Sequence, residues 1–72
     1  MAGFSEGTEI EWDWGSGTAQ GTIEAVYTQK RTLKIDGTDV TRNANKDCPS
    51  YKIEQEDGQT VFKSHSEVRK VN

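Results

Sequence analysis

The residues of this chain whose types could do chemistry are few, and most lie in one place. Positions 9–14 read Glu9-Ile10-Glu11-Trp12-Asp13-Trp14, which brings three carboxylates together with both tryptophans of the 72-residue sequence. Carboxylates and aromatic ring faces both attract cations, and a desolvated cation–π contact is worth about 2 kcal/mol. The chemistry this suggests is reception of a positively charged partner. Nucleophilic and metal chemistry have less to draw on. Cys48 and His65 are the only thiol and imidazole, and their separation fits no zinc-site spacing. His65 lies beside Ser64 and Ser66, but sequence neighbours on a turn rarely align for proton transfer. Gly15-Ser16-Gly17 opens a strand rather than a helix, so it is no phosphate loop. The sequence predicts neither an enzyme nor a metal or cofactor site.

These side chains must be positioned by strands. Residues 9–14, within a strand over residues 8–14, alternate without error, placing Ile10, Trp12 and Trp14 on one face and the carboxylates on the other, which is the pattern of a half-buried strand. The reading puts Trp14 at the open end of the core, with Asp13 next to it. A second strand over residues 18–28 carries Ile23 and Val26 three apart, which breaks the period of two. A β-bulge near Glu24-Ala25 would turn both inward and sharpen the twist that barrel closure needs. Residues 31–42 form a hairpin around Asp36-Gly37, a preferred pair for a two-residue type I′ turn. The resulting register sets Ile35 against Thr38, Leu33 against Val40 and Thr32 against Thr41, and puts Arg31 opposite Arg42 where the ladder should end.

Residues 43–50 are polar, contain Pro49 and read as a loop. A second hairpin surrounds Glu56-Asp57-Gly58. A two-residue turn there would oppose Lys52 to Lys63, whereas a three-residue turn pairs Ile53 with Val61 and Lys52 with Phe62. The second register is preferred, and it leaves Phe62 outside the core as an exposed ring. Exposed aromatics favour partner surfaces. Tyr51 falls on an inward position. Trp14, Asp13, Tyr51 and Phe62 are therefore the candidate ligand-binding residues. The tail, residues 64–71, reads as one helical turn with Ser64 or Ser66 as cap and a short last strand, with Val68 and Val71 turned inward. Residues 1–5 read as a loose lead-in, with Phe4 over one end of the core.

Charge divides the chain. Residues 1–29 hold five acids and no Lys or Arg, and all nine basic residues follow, for a net charge of −3. That balance disfavours a dedicated nucleic-acid binder. The alternative reading gathers Lys30, Arg31, Lys34, Arg42 and Lys46 on the inserted hairpin and its loop as a nucleic-acid surface. A third reading is oligomerisation through an unpaired barrel edge. A hydrophobic share of 31% is low, but its alternating order argues against disorder. One cysteine forms no internal disulfide, and neither a secretion signal nor a spanning segment is evident, so a single cytoplasmic domain over residues 1–72 is expected.

The order of these elements resembles a known family. Gly7-x-x-Ile10-x-Trp12, then Gly21-x-Ile23-x-x-Val26, then Tyr51-x-Ile53 before Asp57-Gly58, and last Ser66-Glu67-Val68 resemble the Tudor superfamily of SH3-like barrels. Arg42-Asn43-Ala44, Pro49-x-Tyr51 and Gln55-Glu56-Asp57-Gly58 make the chain look closely like the hypervirulence-associated protein Tudor domain family. The resemblance implies an all-β fold: a small, partly open SH3-like barrel with an inserted β-hairpin and a short C-terminal helical turn. It also implies a non-enzymatic binding module, with a protein or peptide as partner. Tudor domains that read methylated Lys or Arg use an aromatic cage. Its positions fall here on Trp14, near Ala19, around Glu54-Gln55 and around Glu56-Asp57, so one aromatic in four survives and methyl-group reading is not expected.

Overall fold

A computed structural model describes residues 3–71 of the chain. The strands are β1 (Glu9–Trp14), β2 (Gly17–Tyr27), β3 (Arg31–Ile35), β4 (Thr38–Arg42), β5 (Ser50–Gln55), β6 (Thr60–Ser64) and β7 (Arg69–Lys70), with a single 3-10 turn, His65–Glu67, between the last two. Five of them make one antiparallel sheet in the order β6-β5-β2-β1-β7, and β3 and β4 pair only with each other. This is the expected all-β architecture, with residues 31–42 standing outside the main sheet.

The bulge in β2 organises the sheet. Ile23 pairs with Ile53, but Ala25 pairs with Lys52, so Glu24 has no partner and the register shifts by one. Ile23 and Val26 then face the same side. The core on that side consists of Ile10, Trp12, Ile23, Tyr51 and Ile53, with Phe4, Ala19, Val26, Val61 and Val68 packed against it. At Gly21 the strands approach so closely that an added Cβ would stand 2.5 Å from Ile53 Cγ2 and 2.9 Å from the Glu54 carbonyl oxygen.

Both hairpins have the expected registers. Asp36 and Gly37 take φ of 51° and 79°, the paired left-handed geometry of a type I′ turn. In the β5–β6 hairpin Ile53 faces Val61 and Lys52 faces Phe62, while the Gln55 amide donates to the Gln59 carbonyl at 2.8 Å. Glu56, Asp57 and Gly58 thus form the loop. The β3–β4 ladder ends with Arg31 opposite Arg42, as expected. The two cations are drawn apart, because Arg31 lies 5.0 Å over the Tyr27 ring and Arg42 reaches Glu67 at 2.9 Å.

Two aromatic expectations are corrected. Phe62 is 4% exposed rather than a free ring. Its register is as expected, and it does face away from the barrel core. The β3–β4 hairpin, however, lies against β6 and turns its half-buried Leu33, Ile35 and Val40 to one side, leaving Thr32, Lys34, Asp39 and Thr41 exposed. Phe62 packs edge-on against Tyr27, their centroids 5.9 Å apart. Trp14 errs in the other direction: it is 68% exposed, because β1 outruns the core that covers Ile10 and Trp12.

The segments flanking the strands are tied down. Asn45 Oδ1 accepts the amides of Asp47 and Cys48 at 2.9 and 2.8 Å, and the His65 amide donates to the Pro49 carbonyl at 2.8 Å. The Glu67 carboxylate accepts the Ser64 amide at 3.0 Å, which caps the 3-10 turn at Ser64 rather than Ser66. The lead-in is not loose at Phe4, whose amide donates to the Tyr51 hydroxyl at 2.8 Å; residues 1 and 2 lie outside the described residues.

Truncating Phe62→Ala should destabilise the fold by about 3–5 kcal/mol, as buried aromatics do. A urea melt showing a change under about 0.5 kcal/mol, the surface range, would place the ring in solvent. Gly21→Ala should lower stability by about 1–3 kcal/mol through overpacking against Ile53 and the Glu54 backbone, read as a lower thermal midpoint.

Candidate functional site

Directly opposed residues in a sheet share a face. On the face of the main sheet turned away from the core, Glu9 pairs with Thr22 and Thr22 with Glu54. The next rows add Gln20 opposite Glu11 and Thr18 opposite Asp13. Two adjoining hollows lie on this side. One, of about 340 Å³, is walled by Glu9, Gln20, Thr22, Glu54 and Glu56. The other, of about 330 Å³, is bounded by Thr18, Ala19, Gln20, Gln55, Glu56 and Asp57. Together they make a groove running between the ends of the β1–β2 and β5–β6 hairpins. The positions around Ala19, Gln55, Glu56 and Asp57, named by the family resemblance, do converge, and they bring carboxylates and amides rather than rings.

Among the described residues, Glu9, Glu54, Glu56 and Asp57 make no salt bridge. Glu11 and Asp13 differ. Arg69 reaches across from β7 to both, at 2.8 and 3.1 Å. Hydrogen bonding to Asp13, aided by its charge and by Glu11, holds the Arg69 guanidinium above its ordinary range. The acidic side of β1 is thus partly neutralised, while the groove floor keeps its charge.

The four expected ligand residues do not come together. Trp14 is exposed beside the β1–β2 turn, opposite Gly17 and one step from Thr18, but its ring is not among the groove walls. Asp13 is occupied by Arg69. Tyr51 is fully buried, its hydroxyl bonded to the Phe4 amide and to His65 Nδ1 at 2.7 Å. Burial pushes that phenol above its ordinary pKa, against the opposing pull of the Phe4 amide, and Cys48 adds to the rise. Phe62 points to the opposite side of β5–β6 from Tyr51, under the hairpin.

The basic residues of the alternative reading are also dispersed. Arg31 lies on Tyr27, Arg42 on Glu67, and Lys34 sits opposite Asp39 on the hairpin's outer side. Lys30 lies in the turn before β3 beside a small hollow of about 250 Å³. Lys46 borders a separate, largely apolar hollow of about 960 Å³ with Phe4, Glu6, Val26 and Pro49. Among the described residues no group of three or more His, Cys, Asp or Glu side chains is placed to hold a metal ion, and no helix is long and apolar enough to cross a membrane.

The resemblance pointed to Glu54, Glu56 and Asp57, but their assembly with Glu9 escaped the sequence reading because Glu9 and Glu54 meet only through Thr22, across three strands. The signal was present in the outward positions of each strand, but it needed the β2–β5 register to be assembled.

The two indoles should separate in fluorescence. Emission of the intact protein should contain a shielded component from Trp12 and a red-shifted one quenched by acrylamide. Trp14→Phe should remove only the quenchable component and change stability by no more than about 0.5 kcal/mol.

One protein-family description, hypervirulence associated proteins Tudor domain, matches residues 7–68. No curated protein and no solved structure matches the chain.

Proposed function

The chain belongs to the hypervirulence-associated protein Tudor domain family, and on that premise we propose that it binds a Lys- or Arg-bearing segment of a protein partner in the carboxylate-lined groove. Tudor-like domains are small binding modules, typically non-catalytic, that generally mediate protein interactions. The observation that carries the finer reading is the convergence of Glu9, Glu54, Glu56 and Asp57 between two hairpin ends with no internal cation on them.

The walls set both affinity and selectivity. Exposed ion pairs contribute about 0.2–1 kcal/mol each, so four of them supply at most about 4 kcal/mol and support binding no tighter than about millimolar. An aromatic cage would favour a methylated cation over a plain one. This groove offers carboxylates, which pair at least as well with an unmethylated ammonium or a guanidinium. Trp14, exposed at the β1–β2 turn, is the aromatic that a longer bound segment would reach beyond the groove. The site of action is the cytoplasm, where Cys48 remains a thiol.

A chemical-shift titration with a Lys/Arg-rich peptide tests this reading. Amides of Gln20, Gln55 and Glu56 should move first, and the response should fall as salt screens the pairs. The double charge reversal Glu54→Lys with Glu56→Lys should abolish it, and trimethylation of the peptide lysines should bring no gain. Unchanged spectra at about 10 mM peptide, well above the millimolar affinity that the upper end of those pair energies implies, would refute the proposal.

A further inference from the structure

We propose that residues 3–6 form a strap latched to the barrel through Tyr51 and released when His65 takes up a proton. Three groups meet at the latch. The Phe4 amide donates to Tyr51 Oη at 2.8 Å, Tyr51 Oη lies 2.7 Å from His65 Nδ1, and the Phe4 ring leans on the imidazole with centroids 5.0 Å apart. The hydroxyl is sealed from outside. Gly3, at φ 114°, sits so close that a Cβ there would be 3.2 Å from Oη and 2.9 Å from Pro49 Cγ.

A phenol has one hydrogen to donate and two lone pairs to accept with. One lone pair takes the Phe4 amide. If Nδ1 carried a proton, it would fill the second, and the phenolic hydrogen would be left buried beside Gly3 with no further partner among the described residues. The arrangement is complete only when Tyr51 donates to Nδ1 and His65 carries its single hydrogen on Nε2. Tyr51 keeps the proton it donates, because burial favours the neutral phenol.

Adding a proton to His65 reverses that bond. Nδ1 becomes a donor, Oη must accept twice, and its hydrogen is orphaned until the strap lifts and water reaches it. The charged groups around the joint do not offset this. Lys63 is the register partner of Tyr51 and lies on its face, adding a like charge. Glu67, two residues from His65, is occupied by Arg42 and the Ser64 amide. The Cys48 thiol acts on Tyr51 from the loop, and Glu6 and Lys46 stand together at the border of the 960 Å³ apolar hollow. That hollow uses Phe4 as one wall, so release opens Val26 and Pro49 to solvent.

The test follows the intact protein by NMR. Imidazole nitrogen shifts near neutral pH should report Nε2–H with Nδ1 accepting. The exchange protection factor of the Phe4 amide should fall at least about tenfold between about pH 7.5 and about pH 5, the interval in which histidine changes charge, while that of Ile53 holds. In His65→Gln the Phe4 protection should be flat across the same interval, and in Gly3→Ala it should be low throughout. Should either variant fail to fold, the unmodified protein decides alone. A Phe4 protection factor that stays constant, as it would if the Phe4 ring held the imidazolium in place, or a neutral His65 protonated at Nδ1, overturns the proposal.

Discussion

The unpartnered residue Glu24 is the constraint on which the rest of this fold depends. Without it, the period of two would send Val26 to the side opposite Ile23, and β2 could not serve one core along its whole length. With it, Ile23 and Val26 both meet β5 from inside, while Ala25 and Tyr27 turn outward. The outer face of the sheet is thereby split. One part carries Glu9, Thr22 and Glu54 and stays wet. The other carries Ala25, Tyr27, Lys52 and Phe62 and is roofed by the β3–β4 hairpin. A local irregularity in one strand separates a solvated face from a packing face.

How far the chain could be read before its structure follows from the range of the forces involved. The Asp36-Gly37 and Glu56–Gly58 turns are decided by adjacent residues, and both registers were legible. So was the bulge, because apolar residues three apart in a strand have few other solutions. Burial was less legible, since it depends on what covers a residue. Phe62 is buried by a hairpin whose ends lie some twenty positions or more earlier in the chain, and Trp14 is exposed because its strand partner there is Gly17, which has no side chain to cover it. The candidate groove combines both difficulties: its carboxylates come from strands far apart in sequence, and its charge survives only where Arg69 does not reach.

That local geometry also bears on what the family's fold has become in this chain. Where methyl-reading relatives of the superfamily gather rings, the corresponding positions here gather Gln55, Glu56 and Asp57 around Ala19. The aromatics have not vanished from the protein. Tyr51, Tyr27 and Phe62 are committed to packing on the two sides of β5–β6, and Trp14 is left at the turn. Under the proposed function, recognition of a cation would rest on charge and hydrogen bonding, which discriminate partners more through encounter and register than through tight affinity.

The hairpin that roofs Phe62 shares no ladder hydrogen bond with the five-stranded sheet. Its attachment is side-chain packing plus the Arg42–Glu67 pair, both ends of which sit near the surface. A unit held this way can swing open as a separate cooperative segment while the barrel remains closed. Each such opening bares Phe62 and Tyr27 beside two unpaired strand edges, the combination that invites self-association. Closing of this accessory hairpin, more than the strength of the central β-structure, is what keeps those two rings covered.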